Sequence, residues 1–103
     1  ANLDAGGEAL PPDGVYVVRV FRGSETAPGL ANLGVRPTFG EGGPRVLEVH
    51  VPGWSGDLYG ESIEVRFVRR LRDERKFDGP DALRRQIAED LEALRRSVAA
   101  GEV

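Results

Sequence analysis

Within the stretch RVLEVHV, residues 45–51, the last five side chains alternate between apolar and polar. Successive side chains on a β-strand point to opposite faces, so this alternation predicts a strand with one face in a hydrophobic core. Glu48 and His50 then share the other face. Because a packed strand holds a carboxylate in place better than a loop does, Glu48 is a candidate general base. The same pattern is also typical of an antiparallel strand whose polar face is only solvated.

The composition predicts one globular domain, residues 1–103, with no room for a second core. With 30% charged residues and a formal net charge of −3, the chain is not expected to bind nucleic acid or a membrane surface. Cysteine is absent and there is one histidine, which excludes thiolate catalysis and Cys-rich or His-rich metal sites. No long apolar run or leader is visible, so a cytoplasmic location is expected.

Three further segments have the composition of strands. Residues 15–21 are β-branched and aromatic on both faces, which predicts a strand with little solvent contact. A short strand is expected over residues 29–35, and residues 63–68 alternate clearly. Glycine-rich connections separate these strands, and residues 1–13 are expected to form a poorly ordered loop. Short strands joined in this way favour a small antiparallel barrel or sandwich.

The C-terminal third has a helical period. Apolar residues three and four apart predict an amphipathic helix from about residue 80 to residue 99. Asp78 is expected to cap its N-terminus, with Pro80 in the first turn and Gly101 at the far end. We expect the apolar stripe of this helix to pack against the core. The stripe consists of Leu83, Ile87, Leu91, Leu94 and Val98.

The common phosphate-binding motifs are absent. The sequence has neither GxxxxGK[ST] nor GxGxxG, and Lys76 is its only lysine, which excludes a standard P-loop or protein kinase. Four other blocks occur in order: NLGVRPTFG (32–40), LEVH (47–50), SGDLYG (55–60) and LRDERKFD (71–78). Together they resemble the riboflavin kinase domain that forms the C-terminal half of bacterial bifunctional riboflavin kinase/FAD synthetase proteins. The resemblance covers nearly the whole chain.

This resemblance implies a mainly-β fold, a small closed antiparallel Greek-key β-barrel with a long C-terminal α-helix. It also implies transfer of the ATP γ-phosphate to the ribityl 5′-hydroxyl of riboflavin, giving FMN and ADP. Glu48 matches the family's catalytic carboxylate, which accepts the hydroxyl proton while a metal and donor groups stabilise the transferring phosphoryl. An adenylyltransferase domain is expected upstream in the same natural chain.

The family's magnesium site is only partly represented in the sequence. The Thr and Asn of a Pro-Thr-Ala-Asn motif hold nucleotide-bound Mg²⁺ in the family, and Asn2 matches the last residue of that motif. Mg²⁺ prefers oxygen ligands and keeps several waters, so one hydroxyl and one amide oxygen are a reasonable set of protein ligands. The Pro-Thr pair, the family's first strand and its phosphate-covering loop are expected upstream of Ala1.

The resemblance also implies contacts to both substrates. Tyr59 matches an aromatic near the nucleotide, and Trp54 lies close to it in sequence; both residues also suit an ordinary cover for a barrel end. Arg72 and Phe77 are expected to contact the flavin, the first by polar or stacking contact and the second through its ring. Charge runs such as residues 72–76 are otherwise typical of solvated loops.

Two other functions remain open on the sequence. A barrel that binds flavin or nucleotide without turnover is compatible with the absent upstream motif. An oligonucleotide-binding barrel is disfavoured by the net charge of −3 and by the lack of a basic strand face with interleaved aromatics. Tight, strongly salt-dependent binding of single-stranded nucleic acid would reverse this order.

Overall fold

The computed structural model describes residues 2–4, 10–35, 45–54 and 62–103, and for residues 2–4 only the backbone. The described strands form one antiparallel sheet in the order β1-β4-β3-β2-β5, followed by a C-terminal helix. The elements are β1 (Asn2–Asp4), β2 (Gly14–Arg22), β3 (Glu25–Val35), β4 (Arg45–His50), β5 (Ile63–Arg72) and α1 (Pro80–Ala99). The mainly-β prediction with a C-terminal helix is confirmed. Within the described residues the sheet keeps two edges, β1 and β5, so closure into a barrel is not confirmed.

Strand pairing corrects the sequence-based bounds. The loop predicted for residues 1–13 is wrong at residues 2–4, because their backbone pairs with β4. β3 begins at Glu25 rather than near residue 29, because it continues the hairpin with β2 in unbroken register down to Arg22. At the end of the predicted loop, Arg45 donates to Asp13 Oδ1 at 2.9 Å and to the carbonyl of Pro11 at 2.7 Å. Long-range partners therefore order segments that have little local signal.

The sheet buries side chains on both faces of β2, as its composition predicted. Tyr16, Val18 and Val20 belong to the main core, where the Tyr16 ring meets Phe67 edge-on with centroids 5.1 Å apart. Val15 and Val17 alternate with them and are buried on the opposite face. The buried core cluster consists of Tyr16, Val18, Val20, Ala31, Leu33, Leu47, Val49 and Val51. We call the opposite face, which carries Val15 and Val17, the second face.

The alternation in residues 47–51 is confirmed. Leu47, Val49 and Val51 are buried in the core, whereas Glu48 and His50 are exposed. Because side chains alternate along a strand, the two polar residues lie on the second face of the sheet.

The predicted bounds of α1 are confirmed, but the predicted cap is wrong. The N-cap residue is Gly79, in an extended conformation and without a side-chain cap hydrogen bond. The Gly79 carbonyl accepts the first helical bond from the Leu83 amide at 3.2 Å, so Asp78 lies one residue too early to act as the cap. Gly101 ends the helix with a φ of 75°, which a residue with a Cβ rarely adopts.

The face of α1 that packs on the sheet is not the predicted apolar stripe. Leu83, Ile87 and Val98 are 43%, 47% and 43% exposed, and of the stripe only Leu94 is buried. The buried helical positions are Gln86, Asp90, Leu94 and Ser97. The orientation of the helix differs from the predicted one because β5 presents guanidinium groups on the second face and the polar acceptors of α1 bind them.

Asp90 binds the Arg72 guanidinium, and Ser97 Oγ accepts from Arg69 at 3.4 Å. α1 is therefore anchored to the second face of the sheet. None of the helices in the described part of the chain has both the length and the apolar character that crossing a membrane requires.

Candidate active site

A cavity of about 420 Å³ lies between the second face of the sheet, the first half of α1 and the segment 73–79 that connects β5 to the helix. A cavity of this size suits a small-molecule ligand. Its apolar lining comes from Val15, Leu30, Phe77, Leu83 and Ile87. The exposed part of the helical stripe thus forms one wall of a cavity instead of packing on the core.

One rung of the sheet crosses all five strands at this cavity. From β1 to β5 it consists of Asn2, Glu48, Asn32, Val15 and Arg72. Directly opposed residues of an antiparallel pair share a face, with Cβ atoms about 4.5–5.5 Å apart. Glu48 and Asn32 both line the cavity. The predicted catalytic residue and the predicted metal ligand, Asn2, therefore occupy neighbouring register positions.

The structure places Glu48 on β4 between two core residues, Leu47 and Val49, which are 6% and 5% exposed. His50 follows two residues later, lines the same cavity and pairs in register with Leu30. The strand therefore presents a carboxylate and an imidazole to one cavity from a rigid support.

A second carboxylate lies close to this rung. The carboxylate of Glu74 lies against the Cα of Gly34, so closely that a Cβ at position 34 would collide with it. Partial burial raises the pKa of the Glu74 carboxyl above its usual 4.5, and the negative charges of Asp13 and Glu48 raise it further, against the opposing effect of Arg72. The surroundings of Glu74 therefore disfavour its charged form.

The raised pKa of Glu74 predicts a pH-dependent stability. An acid whose folded-state pKa is raised contributes stability below its unfolded value, here 4.5, and loses that contribution as the pH rises through the folded-state value. We expect Glu74→Gln to raise the melting temperature relative to wild type at pH 7 and to lose this advantage at pH 4. Thermal unfolding at both pH values measures the effect, with Glu64→Gln, an exposed residue on β5, as the control. An equal difference in melting temperature between Glu74→Gln and wild type at both pH values would contradict the prediction.

Arg72, a predicted flavin contact, is bound within the protein. Its Nε and Nη2 donate to the two carboxylate oxygens of Asp90 at 3.0 and 2.8 Å, and its Nη1 donates to the Asp73 carbonyl at 2.9 Å. The Arg72 and Asp90 side chains are only 22% and 12% exposed. Gln86 also donates to Asp90, at 3.0 Å, and accepts from Arg75 at 3.4 Å. This network joins β5, the segment 73–79 and α1 around one end of the cavity.

The other predicted site residues are placed differently. Phe77 lines the cavity, with the Arg75 guanidinium 5.2 Å from its ring centroid. Trp54 is half-buried against the core and lies under the Arg22 guanidinium at 4.2 Å, so within the described residues it is not part of the cavity lining. Tyr59 lies outside the described residues. Asn2 is described by its backbone register alone.

Among the polar residues of the cavity region that have no role predicted from the sequence are Asn32, Gln86 and Asp90. Asn32 stood in one of the four blocks without an assigned role. Gln86, Asp90 and Leu94 follow one another at intervals of four residues, so the two polar residues share a helical face with a core residue. That spacing was the available signal for a buried polar network.

The comparisons with known proteins decide the family. The Flavokinase family model, described as riboflavin kinase, matches residues 1–98. The chain belongs to the riboflavin kinase family. The resemblance stated from the four sequence blocks is thereby confirmed, and this riboflavin kinase domain spans most of the chain.

Curated relatives carry the same domain within longer chains. The bifunctional riboflavin kinase/FMN adenylyltransferase of Pseudomonas fluorescens is 40% identical over 95 residues, which cover 92% of this chain and 30% of the relative. The Escherichia coli K12 protein of the same description is 41% identical, over 87% of this chain and 29% of the relative. The RNA-binding riboflavin kinase of Bacillus subtilis is 35% identical, in a match that covers 91% of this chain and 40% of the relative. The chain therefore spans about 30% of the bifunctional relatives.

A solved structure supports the fold. A Streptococcus pneumoniae protein described as a macrolide-efflux protein is 36% identical and superposes with a TM-score of 0.74. The match covers 84% of this chain and 28% of that one. The riboflavin kinase domain here is thus similar in backbone to part of that protein.

Proposed function

We propose that this domain transfers the γ-phosphate of ATP to the ribityl 5′-hydroxyl of riboflavin, giving FMN and ADP. The observation that carries the proposal is the rung on which Glu48 borders a cavity of about 420 Å³ in a chain of the riboflavin kinase family. A carboxylate on a packed strand, beside an apolar wall, suits a substrate that has an aromatic ring system and a hydroxylated chain.

In the proposed reaction the 5′-oxygen of riboflavin forms a bond to the γ-phosphorus of ATP. The bond from that phosphorus to the bridging oxygen breaks, and ADP leaves with the electron pair. Glu48 accepts the proton of the 5′-hydroxyl during this step. Leu47 and Val49 are buried and keep the strand fixed, so the carboxylate is positioned before the substrate binds.

Magnesium is part of the proposal. Asn2 would hold the ion through its amide oxygen, together with nucleotide phosphates and water, and a Thr upstream of Ala1 would supply a second ligand. The donor type fits, because the Glu48 carboxylate, which pairs in register with Asn2, also brings oxygen acceptors to this rung. When bound, the ion neutralises charge on the phosphates.

Riboflavin would occupy the apolar part of the cavity. Phe77, Leu83 and Ile87 offer an aromatic ring and two exposed aliphatic side chains to the flavin rings. Arg72 would be a neighbour of the flavin, because it lines the cavity together with its partner Asp90. Trp54 and Tyr59 stay predicted nucleotide contacts.

We propose that the natural protein carries an adenylyltransferase domain upstream, because the bifunctional relatives are about three times longer than the match. Closure of the sheet into a Greek-key barrel and a cytoplasmic location are proposed on the same family resemblance.

An exposed pair on α1 gives a matched test of the flavin site. Ile87 and Val98 belong to one apolar stripe and are 47% and 43% exposed, but only Ile87 lines the cavity. We expect Ile87→Gln to raise the KM for riboflavin about tenfold, because a polar amide replaces an apolar contact, whereas Val98→Gln leaves it within about twofold. Initial rates of FMN formation at saturating Mg-ATP, in the protein of full natural length, measure both values.

Equal KM values for the two variants would show that riboflavin does not contact the wall of the cavity that Ile87 lines. Flavin binding without FMN formation by the wild-type protein, with Mg-ATP present, would instead support the non-catalytic binding module. Melting temperatures serve as the control for folding, and both variants should keep that of the wild type because both positions are exposed.

A further inference from the structure

Asn32 carries a polar atom that the mechanism has not used. Its Oδ1 is buried and has no hydrogen-bond partner among the described residues. Asn32 itself is half-buried and lines the cavity on the same rung as Glu48. Buried polar atoms almost always have a partner, and leaving one without a partner costs stability. An orphaned acceptor in a ligand cavity is therefore a candidate ligand contact.

The neighbouring groups do not supply the missing donor. Val15, on one side of the rung, is apolar, and Glu48, on the other side, accepts hydrogen bonds when it is ionised. Three of the five N–H groups of Arg72 donate within the protein, two to Asp90 and one to the Asp73 carbonyl, and none donates to Asn32 Oδ1. Among the described residues Oδ1 therefore has no donor, and a bound ligand can supply one. Oδ1 is shielded in the free protein, and because the terminal torsion of an Asn side chain is broad, rotation of the amide would bring it to a ligand in the cavity.

The position of this acceptor relative to Glu48 selects the donor. Directly opposed residues have Cβ atoms about 4.5–5.5 Å apart, so the side-chain oxygens of Glu48 and Asn32 reach adjacent points of one ligand. On the proposed function, Glu48 contacts the 5′-hydroxyl of the ribityl chain. The hydroxyl on the next carbon, at the 4′ position, is the donor nearest to that point.

We propose that Asn32 Oδ1 accepts a hydrogen bond from the ribityl 4′-hydroxyl of riboflavin and so positions the 5′-oxygen against Glu48. The inference rests on the proposed riboflavin kinase function. Asn32 is then a residue that selects a polyol chain with a hydroxyl next to the one that is phosphorylated, which an apolar side chain at this position would not do.

The test combines a substrate change with a residue change. FMN formation is measured with riboflavin and with 4′-deoxyriboflavin, using wild type, Asn32→Leu and Asn32→Ala in the protein of full natural length. In wild type, kcat/KM should be about 10- to 100-fold higher for riboflavin than for the 4′-deoxy analogue, because the analogue leaves Oδ1 without a donor. In both variants the two substrates should differ by less than about threefold, as the acceptor is gone.

Two further measurements separate this role from a structural one. Asn32→Leu should not lower the melting temperature of the free protein, because it removes an orphaned buried acceptor. His50→Ala, on the same cavity face, should keep the wild-type ratio between the two substrates whatever it does to the rate. The KM for Mg-ATP should stay within about twofold in both Asn32 variants, since the proposed contact is to riboflavin.

An unchanged substrate ratio in both Asn32 variants would overturn the inference. The inference would also be overturned if removal of the 3′-hydroxyl, and not of the 4′-hydroxyl, lowered kcat/KM in wild type and lost this effect in the Asn32 variants. Either result leaves the proposed function intact, provided that wild type phosphorylates riboflavin. No FMN formation by wild type would overturn the proposed function itself, and the inference with it.

Discussion

Glu48→Gln is expected to lower kcat for FMN formation by about 10²–10⁴, with little change in riboflavin binding or melting temperature. Glutamine keeps the side-chain length and most of the hydrogen bonding but cannot accept a proton. Because Glu48 is exposed on β4, the substitution should change the free energy of unfolding by no more than about 0.5 kcal/mol. Initial rates at saturating Mg-ATP and a titration with riboflavin measure the two effects.

The pH dependence of kcat sharpens this test. If Glu48 is the base, its replacement should remove the fall in kcat at acidic pH. An unchanged fall in the Glu48→Gln variant would contradict the assignment of Glu48 as the base. His50→Gln serves as a control on the same face of β4. A nearly silent Glu48→Gln variant would make Glu48 a solvated strand residue. Loss of riboflavin or Mg-ATP binding with a modest drop in kcat would make it a positioning or metal-linked residue.

Asp90→Ala should be the most destabilising of the substitutions considered, by about 2–4 kcal/mol. It removes the acceptor for two guanidinium nitrogens of Arg72 and for the Gln86 amide, in a pair that is only 22% and 12% exposed. Arg72 would keep its charge in a partly buried position without a counterion. Urea unfolding of wild type, Asp90→Ala and the exposed neighbour variant Glu89→Ala measures the difference, and Glu89→Ala should stay within about 0.5 kcal/mol.

A paired replacement separates the unpaired charge from lost packing. Arg72→Met combined with Asp90→Leu leaves no unpaired charge, so it should recover most of the lost stability. The KM for riboflavin should also be raised in Asp90→Ala, because the network fixes the segment 73–79 that carries Phe77. A double variant as unstable as Asp90→Ala would contradict this prediction, because it would show that the unpaired Arg72 charge is not the cause of the lost stability.

Local periodicity predicted the parts of this fold that depend on local geometry. The alternation around Glu48, the doubly buried strand β2 and the bounds of α1 follow from which side chains a strand or helix turns to each face. The four ordered blocks predicted the family, which the match over residues 1–98 confirms. The loop over residues 2–4 was predicted wrongly, because three residues are too few to show a period and their pairing with β4 is long-range.

The sequence by itself thus determined the strand that presents Glu48, the extent of the helix and the family. Only the tertiary structure decided how these parts meet. The rotation of α1 places Asp90 against Arg72, 18 positions away along the chain, and leaves Leu83, Ile87 and Val98 of the apolar stripe exposed. That rotation leaves Leu83 and Ile87 facing a cavity. The juxtaposition of Glu48 with Asn32 depended on strand register, which is set by pairing between distant segments and leaves no local pattern.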